Sequence, residues 1–432
     1  FSIPRRSGHS AGCGTRKKIL VFLDKRPKQK SVEFLGVFGE TGILLSHNCF
    51  KGISYEKIKD AVAYSLNSIK MQAITEAEMR GFNSHLDKVL YDSRMKRKTL
   101  DALFAAIKEY IPNLHSYLRA KGEALGHTNG LPWYDLFAPM GNNIKNYSVE
   151  EAKSYLINVF NQTNPKMSEI IERAFEEEWI DFFPRKGKVG GAFCSGLKSE
   201  KQFRVLTNYD GSFSDIITLA HELGHGYHNF MIFDNRSLNA SYSMPVAETA
   251  STFNENVVTN FALEHVSSDD EKLSLLEGQL SDLTQIICDI YSRFLFESKV
   301  IENRKQNFMF ADELCNIMLE AQKEAYGDGL DPEYLHPFMW VCKSHYYDAG
   351  LGFYNFPYAF GGLFARGLYA KFQQEGPAFL EKYNYMLKET PVRSVEDVAK
   401  ICDIDLTKKE FWLMSLHSYD SVIEEYKRLV RK

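Results

Sequence analysis

Apolar side chains recur at intervals of three and four residues through most of this 432-residue chain, which is the spacing that one face of an α-helix requires. The first such face is predicted to contain Ile58, Ala61, Val62, Ser65, Leu66 and Ile69. The spacing returns at about 97–124, 149–178, 269–303, 309–325, 362–388 and 407–430. Short breaks with turn-forming residues separate these segments, without a long linker or an internal repeat. The sequence therefore predicts a mainly α protein.

One region, about 190–209, has the pattern of β-strands instead. Gly190 and Gly191 open it, and residues 203–209 then alternate between apolar and polar side chains with a period near two. This pattern predicts a small hairpin that leads directly into the next helix.

Charge and cysteine content exclude several classes of protein. The chain has 52 Lys and Arg against 56 Asp and Glu, so its net charge is −4 and it has no overall basic field for nucleic acid. Seven cysteines, an odd number without a Cys-x-x-Cys pair, are typical of a reducing compartment, and we expect a cytoplasmic protein. The early apolar run at 19–23 is much shorter than the ~20 residues of a membrane helix, so no membrane partner is expected.

Residues 1–50 differ from the rest of the chain. They are rich in Lys and Arg, contain several glycines and lack a clear period. The first residue is Phe1 rather than an initiator methionine, which suggests a fragment. We predict an atypical basic segment at 1–50 and a helical catalytic region at 51–432.

An H-E-x-x-H motif occupies residues 221–225. On a helix, His221 and His225 lie on the same face, where both imidazoles can bind one Zn²⁺ at about 2.0–2.1 Å, and Glu222 can reach a water on that metal. Ser212 and Asp215 have the spacing of a capping box that would begin this helix. We expect one Zn²⁺ per chain.

A catalytic zinc site usually has a third protein ligand. The metzincin pattern would need Gly at 228 and His at 231, but His228 and Met231 stand there, so that class is excluded. Glu248 and Glu255 follow seven residues apart, two helical turns along one face. Glu248 is the better candidate ligand, and Glu255 is then expected to accept a hydrogen bond from a ligating histidine. His228 is expected to pack or to support the ligands.

These motifs resemble the thimet oligopeptidase and oligoendopeptidase F family of zinc peptidases. The resemblance covers roughly 52–430 and rests on the segments at 63–70, 131–139, 191–196, 221–228 and 248–255. It implies a zincin-type helical peptidase body with a small β-sheet beside the active-site helix. It also implies that Glu248 is the third zinc ligand. Residues 1–50 do not resemble the family's longer N-terminal helical lobe, so that lobe is expected to be truncated.

The aromatic run at 345–358 takes its meaning from the same resemblance. On composition alone, such a run is more often core packing than catalysis. It is similar to a loop of the family whose histidine and tyrosines contact substrate and stabilise the oxyanion. This implies catalytic roles for His345 and Tyr354, and leaves Tyr347 and Tyr358 as further candidates.

The resulting hypothesis is a zinc-dependent endopeptidase that hydrolyses internal bonds of short oligopeptides. A metal-activated water would be the nucleophile and Glu222 the general base. The edge near 192–195 could pair with an extended peptide, and Cys194 is expected to pack rather than to act as a nucleophile. An aminopeptidase is disfavoured because no Gly-Ala-Met-Glu-Asn-like strand is present. The remaining alternative is a truncated, catalytically impaired helical protein that binds peptides or a partner without turnover.

Overall fold

A computed structural model of the chain describes residues 54–141 and 145–432, and the segment predicted at 1–50 lies outside the described residues. The helices before the sheet are α1 Lys59–Met79, α2 His85–Asp92, α3 Arg97–Ala124, α4 Val149–Thr163 and α5 Pro165–Glu176. The strands are β1 Ile180–Asp181, β2 Phe193–Leu197 and β3 Gln202–Leu206. The predicted mainly α class is confirmed.

Eleven further α-helices follow the sheet in the described part of the chain. The first six are α6 Phe213–Ile232, α7 Thr249–His265, α8 Asp269–Thr284, α9 Ile290–Arg304, α10 Ala311–Tyr326 and α11 Met339–Cys342. The remaining five are α12 Phe356–Glu375, α13 Phe379–Glu389, α14 Val395–Lys400, α15 Lys409–His417 and α16 Asp420–Val430. None of the helices in the described ranges combines the length and apolar character needed to cross a membrane.

Several predicted helices are divided where the backbone cannot continue. The segment predicted at 149–178 is two helices, because Pro165 lacks an N–H and begins α5 while the Asn164 side chain caps it. The segment predicted at 362–388 begins earlier, at Phe356, and is broken at Gly376, whose φ of 69° ends α12.

Two more predicted helices are interrupted by local distortion. A π-helical turn, Gln285–Asp289, separates α8 from α9 within the predicted segment 269–303. Between α15 and α16, the carbonyl of Ser418 accepts a hydrogen bond from Arg366 at 3.2 Å, and the guanidinium stacks 4.3 Å from the Tyr419 ring centroid. These contacts are made across the fold, so the helical spacing of 407–430 does not reveal them.

The helix face predicted for α1 is only partly correct, because Leu66 is buried and Val62 packs against the core while other members are exposed. Ile58 is 47% exposed and Ala61 and Ser65 are also exposed, whereas the buried face includes Asn67 and Lys70. Asn67 is satisfied there because its Nδ2 donates to the Met309 carbonyl at 2.8 Å and its Oδ1 accepts from the Met309 N–H at 2.9 Å. Polar residues with buried partners do not contribute to an apolar pattern, and the pattern therefore missed part of the buried face.

The predicted hairpin is confirmed and belongs to a three-stranded sheet in the order β1-β3-β2. β2 runs antiparallel to β3, with Cys194 opposite Val205, and β1 runs parallel to β3. β2 is therefore an edge strand of the described sheet. A side chain at Gly226 would meet the Phe203 ring at 2.5 Å, so α6 packs closely against this sheet.

Candidate active site

The start of α6 is determined by its capping residues. Ser212 Oγ accepts from the Asp215 N–H at 3.2 Å, and Asp215 Oδ2 accepts from the Ser212 N–H at 3.1 Å, which confirms the predicted capping box. The same carboxylate oxygen accepts from the N–H groups of Asp210 and Gly211 at 2.9 and 3.0 Å. These bonds fix where the helix begins and hence which of its side chains face the cleft beside it.

Helices α6 and α7 approach each other closely at Gly224, inside the H-E-x-x-H motif. A Cβ at this position would lie 2.6 Å from the Ser251 Cα and 2.7 Å from the Ala250 carbonyl oxygen. Only a residue without a side chain permits this backbone contact. The contact brings Glu248, which immediately precedes α7, beside the two histidines of α6.

Three donor atoms converge between these helices. Glu248 Oε2 lies 3.3 Å from Nε2 of His221 and 3.3 Å from Nε2 of His225, and the two Nε2 atoms are 3.2 Å apart. Tetrahedral coordination at about 2.0–2.1 Å places any two ligand atoms about 3.3 Å apart. Two imidazole nitrogens and a carboxylate oxygen with this spacing fit one zinc ion.

Neighbouring groups orient these donors. Nδ1 of His221 lies 2.6 Å from Glu255 Oε1, the contact expected for Glu255. Although burial alone would lower it, bonds to Glu248 and Glu255 raise the pKa of His221 to about 10. Burial likewise opposes ionisation of Glu248, but the two histidines lower the pKa of its carboxyl well below the usual range. The carboxylate is thus held as an anion and available as a ligand.

Ser251 is a neighbour that sequence reasoning missed. Its Oγ donates to Glu248 Oε2 at 2.8 Å. The sequence spacing indicates this contact, because Glu248 and Ser251 are three positions apart and lie on adjacent turns where the helix begins. Since Ser251 also belongs to the close contact with Gly224, it both orients the carboxylate and packs against α6.

Glu222 is in a different environment from Glu248. It is only 5% exposed, and burial, together with the nearby Glu248 and Glu255 carboxylates, raises its pKa despite the opposing effect of His221 and His225. Its Oε2 atom is buried and has no hydrogen-bond partner among residues 54–141 and 145–432. A raised pKa makes the carboxylate a stronger base, and its free oxygen is available to accept a proton.

His221, Glu222, Glu248 and Glu255 line a cleft of about 980 Å³. One wall is formed by Gly191 and Ala192 beside β2, and another by residues of α8 such as Gln279 and Asp282. Tyr358 lines the cleft as well. The cleft therefore brings together His221 and Glu248 of the donor cluster, Glu222 and the approach to an edge strand.

The structure separates the four candidates of the aromatic run. The rings of His345 and Tyr354 have centroids 5.1 Å apart, and those of Tyr354 and Tyr358 are 5.4 Å apart, so these three form one cluster. Burial lowers the pKa of His345, which favours the neutral ring. The hydroxyl of Tyr347 donates instead to the Trp340 carbonyl at 2.8 Å. Of the three tyrosines, Tyr358 is the one that lines the described cleft.

Two residues considered in the sequence lie outside the donor cluster. His228 is fully buried, stacks on Tyr242 with ring centroids 4.1 Å apart and has Nε2 2.8 Å from Thr390 Oγ1, so it packs as expected. Cys194 packs against the core, and burial raises the pKa of its thiol, which disfavours the reactive thiolate.

Known proteins with similar sequences include two curated oligopeptidases. Oligopeptidase PepF of Bacillus subtilis is 24% identical over 390 residues, which cover 89% of this chain and 58% of that protein. Group B oligopeptidase PepB of Streptococcus agalactiae is 25% identical over 382 residues, which cover 88% of this chain and 63% of that protein. The chain thus spans about three fifths of the length of these relatives.

A solved structure has the same fold. Oligoendopeptidase-F from Enterococcus faecium superposes with a TM-score of 0.70 at 19% identity, over 94% of this chain and 67% of that chain. The resemblance to oligoendopeptidase F inferred from the motifs is confirmed by these comparisons. Residues 51–418 match the family described as peptidase family M3. Because this match includes both helices that bring the donor atoms together, the chain belongs to peptidase family M3.

Proposed function

We propose that this chain is a zinc-dependent endopeptidase that cleaves internal bonds of short oligopeptides, with residues 51–432 as its catalytic region. The observation that carries the proposal is the convergence of His221, His225 and Glu248 at 3.2–3.3 Å, with Glu222 in the same cleft. A cleft with a metal donor set and a buried carboxylate of raised pKa favours metal-assisted hydrolysis.

In this proposal, His221, His225 and Glu248 hold one Zn²⁺. When bound, the ion supplies Lewis-acid chemistry, because it makes a water nucleophilic at neutral pH and polarises the peptide carbonyl. Glu222 accepts the proton of the attacking water at its free Oε2 atom and later delivers a proton to the leaving amine. Its buried position supports this role. Burial raises the pKa of Glu222 and so makes its carboxylate a stronger base.

Peptide binding is assigned to the edge of β2. This strand pairs with β3 on one side, and its other side is free among the described residues, next to the cleft at Ala192. An extended peptide can add to such an edge through backbone hydrogen bonds, which do not read side chains. We therefore expect broad sequence tolerance.

Oxyanion contact is assigned first to Tyr358. Its side chain lines the cleft, and Tyr354 and His345 are successive members of the same aromatic cluster. A well-placed donor to the developing oxyanion typically contributes about 2–4 kcal/mol to transition-state stabilisation. Tyr347 is not assigned this role because its hydroxyl is already engaged by Trp340.

The proposal is tested by comparing the chain with Glu222→Gln on an internally quenched peptide of about 5–12 residues, while bound zinc is measured. The amide keeps the shape of the side chain but cannot act as the base, so we expect one zinc per chain in both proteins and a loss of turnover of about 10²–10⁴-fold. Equal turnover would remove Glu222 from the mechanism. Zinc binding without turnover in the unsubstituted chain would instead support peptide binding alone.

A further inference from the structure

A buried ion pair contacts the segment that carries His345 and Tyr354 and leads into α12, where Tyr358 lies. Lys70 of α1 and Glu297 of α9 are each 1% exposed, and Lys70 Nζ lies 2.7 Å from Glu297 Oε1. Removing both charges from water is costly, and apolar residues of similar volume often stabilise a fold equally well. Stability alone therefore does not account for the Lys70–Glu297 pair.

Glu297 binds the end of the loop that leads into α12. Its Oε1 accepts from the Phe353 N–H at 3.0 Å, and its Oε2 accepts from Asn355 Nδ2 at 2.8 Å. Asn355 Oδ1 in turn accepts from the Phe356 N–H at 2.7 Å and so caps α12. Tyr354 lies between the two residues that Glu297 holds.

Lys70 contacts the other end of the loop. Its ammonium group lies 5.6 Å from the centroid of the Tyr346 ring, within the range of a cation–π contact. Tyr346 is 3% exposed and directly follows His345. The single Lys70–Glu297 pair thus contacts both ends of the segment 345–355.

The backbone between these ends is confined. Phe353 has a φ of 52°, a left-handed conformation that is rare for a bulky residue. Gly352 packs against the buried His85, whose Nε2 would lie 1.8 Å from a Cβ at that position. An ordinary loop would relax such a geometry, so the surrounding contacts must maintain it.

We propose that the Lys70–Glu297 pair positions the His345–Tyr354–Tyr358 cluster over the cleft, which makes Lys70 and Glu297 positioning residues for peptide hydrolysis. This inference rests on the proposed function. The pair touches the backbone and side chains that flank the aromatic cluster, and it touches none of the three donor residues. Its loss should therefore reduce turnover without removing zinc.

The main test compares Lys70→Met with Lys121→Met in the full chain. Lys121 forms an equally buried pair with Glu277, away from the loop, and its substitution controls for the general cost of an unpaired buried carboxylate. For Lys70→Met we expect unchanged zinc content, a fall in kcat of about 10–10²-fold and a much smaller change in KM. For Lys121→Met, kcat should stay within about 3-fold of the unsubstituted chain, even with a similar loss of Tm.

A second measurement follows the loop itself in zinc-free protein. Hydrogen exchange of residues 345–358 should become about 10-fold faster or more in Lys70→Met and remain unchanged in Lys121→Met. This readout does not depend on activity. If the unsubstituted chain cleaves no peptide, the proposed function fails, while the exchange comparison still decides whether the pair holds the loop.

A double-mutant cycle tests whether the pair acts through the cluster. In a Tyr358→Phe background, Lys70→Met should lower kcat by less than about 3-fold, because the Tyr358 hydroxyl assigned to the oxyanion is already absent. Full additivity, or an equal kcat loss in Lys121→Met, would overturn the proposal and leave the pair with a role in stability alone.

Gly352→Ala keeps the proposal testable if Lys70→Met does not fold. The added Cβ would collide with His85 and displace the loop without disturbing a charge. We expect kcat to fall by about 10-fold or more, and His85→Ala in the same chain to restore most of it by making room. A Gly352→Ala protein with unchanged kcat would overturn the positioning role.

Discussion

Nδ1 of His221 and Oε1 of Glu255 lie 2.6 Å apart, although 34 positions separate the two residues in the chain. An ionised carboxylate can only accept a hydrogen bond, so Nδ1 carries a proton and donates it to Glu255. Glu255 thus sets the tautomer that a metal-binding imidazole requires.

Replacing Glu255 by Ala should therefore weaken zinc binding without abolishing it. Loss of such an outer hydrogen bond typically lowers metal affinity about 10–100-fold. Competition with a chelator of known affinity measures the change. Glu264→Ala, an exposed substitution on the same helix, is the matched control and should bind zinc as the unsubstituted chain does. Equal affinity in both variants would contradict the role of Glu255.

Substitution of Gly224 by Ala should separate α6 from α7. The new Cβ would lie 2.6 Å from the Ser251 Cα, a backbone atom that cannot move aside alone. Overpacking of this kind costs about 1–3 kcal/mol of unfolding free energy, and we expect weaker zinc binding because Glu248 would shift from the histidines. Chemical denaturation and zinc titration measure both effects.

The control for this substitution is Gly278→Ala. Gly278 lies in α8, and a Cβ there meets no atom within 4 Å. Alanine should raise the unfolding free energy by up to about 1 kcal/mol, since it has the higher helix propensity. A Gly224→Ala protein as stable as this control would show that the close helix contact is not required.

Tyr347 and Tyr358 should differ in their effect on turnover. Tyr358→Phe removes a hydroxyl from a residue that lines the cleft, and we expect kcat to fall about 10–10³-fold with little change in KM. Tyr347→Phe removes a bond to the Trp340 carbonyl, so it should lower stability by about 1 kcal/mol and leave kcat within about 3-fold. Steady-state kinetics with a quenched peptide measures kcat of both variants. A lower kcat in Tyr347→Phe than in Tyr358→Phe would reverse these assignments.

His228 should contribute to acid unfolding. Burial lowers its pKa to about 3 from an ordinary value near 6.5, so between these pH values the unfolded chain binds a proton that the folded chain does not. Stability attributable to the neutral ring is therefore complete above pH ~6.5 and is lost at about 1.4 kcal/mol per pH unit as the pH falls toward ~3.

Denaturant unfolding of the chain and of His228→Gln, measured at several pH values, isolates this contribution. The amide is not titratable but can still bond to Thr390, whose hydroxyl lies 2.8 Å from the histidine Nε2. The pH dependence of the unfolding free energy should be shallower in the variant by about one proton. Identical slopes would show that His228 does not carry the effect.

Local patterns in the sequence were sufficient for much of this site. The capping box at Ser212 and Asp215 predicted where α6 begins, and the spacing of His221 and His225 placed both on one helical face. The hairpin before α6 was also predicted from its alternation. Each of these features depends on residues a few positions apart, so it can be read without knowing the fold.

Hydropathy failed where burial depends on a distant partner. Lysine is usually exposed, yet Lys70 is buried because Glu297, more than two hundred positions away, neutralises its charge. The pattern around Ile58 therefore included exposed residues and missed the buried Asn67 and Lys70. Similarly, composition alone did not separate Tyr358 from Tyr347, because only packing determines which hydroxyl is already bound.

By itself, then, the sequence determined the mainly α class, the helix that carries both imidazoles and the candidate carboxylates that follow it. Tertiary structure alone decided that Glu248 lies 3.3 Å from Nε2 of both histidines while Glu255 contacts the other ring nitrogen of His221, Nδ1. The physical reason is that the α6–α7 distance depends on the backbone contact at Gly224, and helical periodicity contains no information about the separation of two helices.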